Sequence, residues 1–350
     1  MRLVVLGLSL TSAWGNGHAT TYRALLRELA RRGHDVLFLE RDVPWYARHR
    51  DLHSASYCRV ALYQSCDELF LSFEREVAEA DAVILGSYVP DGALVARWLT
   101  GTAGGVRAFY DIDTPVTLAG IASGDCDYLD ADVIGAFDLY LSFAGGSVLD
   151  RLAAEYGVKR PLPLYCSVDP ERYRPVPARV RWDLGYLGTY SVDRQGVLEE
   201  LLLAPARRHR AGRFVVGGPQ YPADTCWPSN VMRIEHVPPN DHVDFYGAQR
   251  FTLNVTRSDM VHAGYSPSVR LFEAAACGVP IISDYWAGLE TFFDPGEEIL
   301  VAGSAEESYH YLTAFSEEVR REIGVRARER VLAEHTSAHR AAQLESYLVS

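Results

Sequence analysis

Short apolar runs alternate with helical or loop segments along nearly the whole chain. This alternation limits the possible folds more than any other feature. Residues 3–8 read as a buried strand, followed by a Gly/Ser/Asn loop through Gly17. Tyr22, Leu25, Leu26 and Leu29 then recur at helical spacing, Gly33 closes the helix, and 36–39 is the next strand. Runs at 81–85, 106–110, 139–143 and 162–165 continue the pattern. This order of elements predicts a mostly parallel sheet with helices on both faces. A stiff connector carrying Pro170, Pro175 and Pro177 follows. Strand-like runs restart at 183–187, 214–216, 232–236, 251–255, 280–282 and 299–301. The expected class is α/β, with two doubly wound Rossmann-like domains facing a cleft. Their expected bounds are 1–168 and 169–334, with a helical tail at 335–350 that can pack back on the N-terminal domain. The stretch 319–349 reads as helical with arginines on its polar face.

The length of 350 residues suits two domains of about 170 each. The net charge of −12 argues against non-specific nucleic-acid binding, which needs a basic footprint, and leaves room for a local basic cleft. Lys159 is the only lysine, so no P-loop Gly-Lys pair exists, and a lysine Schiff base would fall on a polar turn. Cysteines 58, 66, 126, 166, 226 and 277 are scattered without C-x-x-C spacing, which disfavours a zinc site or a redox dithiol. They fit a reducing, cytoplasmic location. The first residues imitate a signal peptide, but a first β-strand accounts for them better. No run reaches the ~18 apolar residues of a membrane span.

The most informative stretch is 264–280. Gly264, Ser266, Pro267 and Ser268 form a turn-rich loop, a short helix bearing Arg270 and Glu273 follows, and Gly278 ends it before the strand at 281–282. A loop entering a helix N-terminus leaves amides aligned with the helix dipole, which suits a phosphate. Arg270 can add a guanidinium fork. Glu273, three residues on, shares its face and can accept two ribose hydroxyls. The bland alternative is an amphipathic helix with a surface Arg270–Glu273 pair.

In open α/β sheets, ligands bind beyond the carboxyl ends of strands. Several candidates fall there. Gly15, Asn16, Gly17 and His18 follow the first strand, and Asp111 and Asp113 follow the strand at 106–110. Thr189, Tyr190, Asp193 and Arg194 follow the strand at 183–187, and Gly217 and Gly218 follow 214–216. Each has a structural reading too. Glycine loops are generic, His18 can cap or sit in the core, Gly217-Gly218 can be a turn, and the two aspartates can be turn or capping residues. Asp113 leans toward function because it ends an apolar strand.

These segments together resemble the CgeB-like (spore-maturation-type) glycosyltransferases of the GT-B class, related to retaining, family-four-like sugar transferases. The resemblance rests on Gly15 to His18 with residues 29–36, on 109–115, on 166–170, on 185–188 and above all on 270–278. It implies a nucleotide-diphosphate-sugar donor, most simply a UDP-sugar, held by the C-terminal domain. Glu273 would hold the ribose. Arg270, Arg194 and the backbone of Ser266, Pro267 and Ser268, whose amide hydrogens come from the two serines, with Tyr190 and Tyr265 alongside, would surround the diphosphate and sugar. The base would stack near His236 and Val237. The acceptor would lie on the N-terminal side with Gly15, Asn16, Gly17 and Asp111. Asp113, His18 and Arg270 would be the catalytic groups. The resemblance implies no cofactor and no metal. The acceptor, whether small molecule, glycan, protein or nucleic-acid base, is not specified. The wider families carry a glutamate where Tyr265 stands and an Arg–Lys pair on the diphosphate, and here the C-terminal half has no lysine. A nucleotide-sugar epimerase and a non-catalytic nucleotide-sugar binding protein are the alternatives.

Overall fold

The computed structural model describes residues 1–350 and divides them into two compact units. Met1–Cys166 and Ser337–Ser350 form one, and Ser167–Thr336 the other.

The first unit holds seven parallel strands: β1 (Arg2–Leu6), β2 (Asp35–Arg41), β3 (Arg59–Tyr63), β4 (Ala82–Gly86), β5 (Val106–Asp111), β6 (Leu139–Ser142) and β7 (Pro161–Pro163). Their order is β3-β2-β1-β4-β5-β6-β7. The signal-like start of the chain is the central strand β1, paired in parallel with both β2 and β4. Its Leu3, Val4, Val5 and Leu6 are buried because helices cover both faces of the sheet. Strand β3 is absent from the sequence reading. It is an edge strand with intermediate burial, so it lacks a continuous apolar run. The last helix, Ser337–Val349, packs on the helix His18–Arg31.

The second unit holds β8 (Trp182–Leu187), β9 (Phe214–Gly217), β10 (Val231–Ile234), β11 (Gln249–Asn254), β12 (Ile281–Ser283) and β13 (Leu300–Val301), ordered β10-β9-β8-β11-β12-β13 and all parallel. Leu184, Tyr186, Phe214, Val216, Phe251 and Leu253 form the centre of its core. Full burial of each such side chain stabilises by roughly 1.5–3 kcal/mol. The strand order reverses between β8 and β11, the position where such sheets bind ligands.

The helical pattern of 319–349 is not one element. It breaks between Glu317–Glu334 and Ser337–Val349, where the chain returns from the second unit to the first. Two of its arginines point inward rather than outward. Arg320 donates to the Arg250 carbonyl at 3.0 Å, and Arg340 to the Tyr165 carbonyl at 3.1 Å. No helix is long and apolar enough to cross a membrane.

Candidate active site

In the second unit, the loops after β8 and β9 meet the N-terminus of the helix Val269–Ala276. They close tightly because glycine stands at the contact points. A Cβ on Gly188 would lie 2.5 Å from the Tyr186 hydroxyl, and one on Gly218 would lie 2.0 Å from the Gly188 carbonyl. Gly188 donates its amide to Gly217 at 2.8 Å, and Tyr190 to Pro219 at 3.0 Å. The Tyr190 ring sits edge-on to Tyr221 at 5.4 Å.

Arg270 is held in place rather than left on the surface. Its Nε donates to the Leu187 carbonyl at 2.6 Å and its Nη1 to Asn254 Oδ1 at 2.8 Å. Its guanidinium lies 4.9 Å over the Tyr186 ring. Asn254 is fully buried at the end of β11. The same Oδ1 accepts from Ser268 Oγ at 2.7 Å, while Nδ2 donates to Ser283 Oγ at 3.0 Å and Thr256 Oγ1 at 3.2 Å. One amide thus ties the loop entering the helix Val269–Ala276, the arginine and two strand ends together.

Arg194 reaches the same place from the helix Val192–Leu198. Its Nη2 donates to the Thr189 carbonyl at 2.6 Å, and its buried Nε has no hydrogen-bond partner. Burial, and then repulsion from Arg270 and Arg257, holds its pKa below the usual arginine value. Arg194 and Arg270 therefore lie together by the N-terminus of the helix Val269–Ala276, with Arg257 close enough to repel Arg194. The first amides of that helix lack intrahelical partners as well. Ser266 is almost fully buried in the entering loop, and its Oγ is unpartnered. Concentrated positive charge with unsatisfied donors is a site for a multiply charged anion. A cavity of ≈ 470 Å³ lies beside it, lined by Asp193, Val197, Thr256, Ser258 and Asp284 among others.

Glu273 forms no surface ion pair with Arg270. It is 7% exposed and accepts from the Tyr246 hydroxyl at 3.1 Å, with His242 Nδ1 at 3.8 Å. Burial pushes its pKa up, but His242, Tyr173 and Tyr246 outweigh that and hold it below the usual glutamate value. His242 Nε2 lies 3.2 Å from the carbonyl of Val237. The histidine therefore links the residues proposed for the base with the proposed ribose acid. Val237 is buried and its neighbour His236 half-buried, and burial lowers the His236 pKa. Tyr265 has φ +46° and lies against Gly288, where a Cβ would meet its ring at 2.5 Å. Pro267 is buried beside it.

In the first unit, Asn16 Oδ1 accepts from the Ala19 amide at 3.1 Å, so it caps the helix His18–Arg31. Gly15 takes φ +68° in the exposed loop, and Gly17 is the N-cap position. His18 is 7% exposed with an unpartnered Nδ1, and burial lowers its pKa to about 4. Its ring meets Tyr88 edge-on at 5.3 Å, and the Tyr88 hydroxyl donates to Asp113 Oδ2 at 3.2 Å. His18 and Asp113 are thus joined through Tyr88, a residue absent from the sequence reading.

Asp111 is a correction. It is the last residue of β5 and not part of an acceptor-side loop, and it is fully buried. It accepts from Tyr140 at 2.5 Å, Thr117 at 2.8 Å and the Asp113 amide at 3.2 Å. Residues 108–111 are all buried, because β5 lies between β4 and β6 in a sheet covered on both faces. The partners of Asp111 are spoken for inside the core, and burial raises its pKa to about 6.

The first unit also uses up the acid that dinucleotide-binding folds direct to a ribose from the end of the second strand. Here Glu40 turns inward and accepts from the amides of Leu10 at 2.6 Å and Thr11 at 2.9 Å, from Thr11 Oγ1 at 2.6 Å and from Ser9 at 3.1 Å. The cationic cluster and the buried Glu273 belong to the second unit alone.

Residues 194–346 match a family model described as glycosyl transferase-like. No curated protein matches the chain. Among solved structures, alpha-glucosyltransferase (AGT) in complex with UDP aligns at TM-score 0.74 and 11% identity, covering 100% of both chains. Anabaena Alr3699/HepE in complex with UDP aligns at TM-score 0.71 and 12% identity, also over 100% of both chains. Sucrose-phosphate synthase from Thermosynechococcus elongatus aligns at TM-score 0.70 and 15% identity, covering 99% of this chain and 98% of that one. These likenesses show the fold, which is GT-B with two Rossmann-like domains.

Proposed function

We propose that the protein is a CgeB-like glycosyltransferase that moves a sugar from a UDP-sugar to an acceptor hydroxyl, with retention and without a metal. The observation that carries this reading is Arg194, whose buried and unpartnered Nε faces repulsion from Arg270 and Arg257. Such a cluster is unfavourable until an anion neutralises it. A nucleoside diphosphate brings that charge, and Glu273 lies on the same helix to take its ribose hydroxyls. The glycosyl transferase-like match over 194–346 and UDP in the solved structures of similar fold support the same choice.

In this reading the bond between the anomeric carbon and the diphosphate oxygen breaks, and the leaving UDP gains negative charge. Arg270, Arg194 and Arg257 stabilise that charge more than they stabilise bound substrate, which is what accelerates a reaction. The guanidinium groups supply the positive charge that a divalent ion would otherwise bring. The acceptor oxygen bonds to the anomeric carbon from the face the diphosphate leaves, which gives retention, and its proton passes to Asp113 of the first unit, which Tyr88 holds by a hydrogen bond with His18 packed against that ring. Thermal-shift screening against UDP, GDP, ADP and TDP tests the donor site, because a ligand bound only by the folded state raises apparent stability. Incubation with a UDP-sugar panel then tests the activity. Free UDP with a new sugar adduct, undiminished in EDTA, is the expected result. An altered UDP-sugar would make the protein an epimerase, and binding without turnover a binding protein.

A further inference from the structure

The first unit presents an aromatic face that the donor site does not use. Trp14 lies in the loop after β1, while Trp45 and His49 lie in and just after the helix Pro44–Ala47 that follows β2. Because β1 and β2 are parallel neighbours, both segments sit at the carboxyl end of the sheet, where such folds bind ligands. His49 stacks on Trp14 with centroids 4.4 Å apart and planes 12° from parallel. Trp45 meets the same imidazole edge-on at 5.8 Å. Trp45 is 60% exposed and Trp14 37%. Three rings touch one another at the surface without becoming core.

The face is also rigidly mounted. Ser12 Oγ donates to the His49 carbonyl at 2.8 Å, which ties the two segments together. The Ala13 amide donates to Asp51 at 3.0 Å, and the buried Arg23 forks onto the same carboxylate at 2.7 and 2.9 Å. Asn16 Nδ2 donates to the Trp14 carbonyl at 3.3 Å. Rigid aromatic faces that keep their orientation bind at low entropic cost. The polarised C–H face of a pyranose ring suits the electron-rich face of an indole. A second observation points the same way. Four residues on from Trp14, at the first position of the helix His18–Arg31, the buried His18 keeps an unpartnered Nδ1 and is held neutral by burial.

We propose that Trp14, His49 and Trp45 form a stacking subsite for a pyranose ring, so that the acceptor is a carbohydrate. This rests on the transferase reading above. A nucleobase could also stack there, but a nucleic acid brings phosphates that need free cations. The chain carries a net charge of −12, and the nearby Arg23 and Arg50 are already paired with Asp51 and Asp42, which leaves the exposed Arg48 as a single cation beside His49, too few for a run of phosphates.

The test titrates the full chain with methyl β-glucopyranoside, maltose, cellobiose and a ten-residue oligothymidylate. Calorimetry follows binding with and without UDP. At least one saccharide should saturate. Trp14→Ala and Trp45→Ala should each weaken it about tenfold or more, the loss expected for one stacking partner, while Trp14→Phe keeps most of the affinity. UDP affinity should be unchanged in all three variants, which also reports that they are folded. Saccharide binding that survives both alanine variants, or no saccharide binding at all, overturns the proposal. Oligothymidylate binding lost in the tryptophan variants, without saccharide binding, overturns it in favour of a nucleobase. UDP binding without saccharide binding sinks the subsite alone. Saccharide binding without UDP binding sinks the transferase reading and leaves the subsite standing.

Discussion

The Tyr246 hydroxyl donates to the buried carboxylate of Glu273 at 3.1 Å, and this contact separates Glu273 from Arg270, the one arginine on its own helix. Glu273 answers to a tyrosine–histidine cage, while Arg270 answers to Leu187 and Asn254. A single helix thus presents an acceptor and a donor that do not neutralise each other, and each is left to meet a different part of a ligand.

If Glu273 accepts ribose hydroxyls, Glu273→Ala should weaken UDP binding by roughly 1–3 kcal/mol, the range for hydrogen bonds to charged groups. Removing the 2′-hydroxyl from UDP should cost affinity in the wild type and little in the variant. Equal losses in both proteins would remove Glu273 from the ribose site. Its folded pKa is depressed, so its stabilising contribution is present above the unfolded value near 4.5 and is lost as pH falls through the folded value. It stays ionised through neutral and mildly acidic pH, and UDP affinity should show no Glu273-dependent fall there.

The arginine cluster should trade stability for binding. Arg194→Met removes the charge that Arg270 and Arg257 both repel, and the donor without a partner. The unliganded variant should melt at the same temperature as wild type or higher, while its UDP-induced shift shrinks. A variant that melts lower yet keeps the full UDP shift would make Arg194 a structural residue. Arg270→Ala should lower turnover by about two orders of magnitude, as removal of one preorganised donor does. Arg270→Lys should recover only part, because an ammonium cannot hold Leu187, Asn254 and a phosphate with one planar fork.

The placement of Arg270 and Glu273 on one helix behind a turn-rich loop, and of Arg194 at the start of another, was legible in the sequence because a loop–helix junction and a three-residue spacing are local signals. The parallel sheets were legible for the same reason, since each strand buries a short apolar run. Asn254, Arg257 and His242 were not, because their roles depend on which strand ends come together. Asn254 interrupts an apolar run, and only the parallel pairing of β8, β11 and β12 shows that its amide locks Arg270. Asp111 misled for the converse reason. An Asp-x-Asp pattern looks like a paired site, but the strand ends at Asp111, inside a sheet covered on both faces, while Asp113 already stands at the N-cap of the next helix. Tyr88 was hidden by its left-handed backbone at φ 63° in the loop after β4, which no apolar period announces.

Asp113 and Tyr88 can be separated by experiment. Asp113→Asn keeps the size of the side chain and removes its basicity. It should cut transfer by about 10²–10⁴, the usual contribution of a general base, and leave UDP affinity intact if UDP is held as proposed by residues of the other unit. Tyr88→Phe should reduce transfer less and move the pH–rate profile, since it removes one hydrogen bond to the base. A lower melting temperature with normal transfer per folded molecule would return Asp113 to its helix-entry role.

The buried pair of titrating groups in the first unit sets a stability test in acid. His18 has its folded pKa lowered by burial from 6.5 to about 4, so its contribution is complete above 6.5 and is lost as pH falls toward 4. Asp111 has its folded pKa raised by burial from 3.8 to about 6, so its contribution is complete below 3.8 and is lost as pH rises through 6. Between about pH 4 and 6 the two slopes oppose each other, each near 1.4 kcal/mol per pH unit at most. His18→Gln should remove the first slope, so its stability relative to wild type should fall as pH rises across this window. Asp111→Asn should remove the second, so its relative stability should rise. Urea unfolding at several pH values between 4 and 7 measures both differences. Curves parallel to wild type would show that neither group titrates differently on folding. His18 would then be charged in the native state at mildly acidic pH, and the neutral imidazole required beside Tyr88 would be lost.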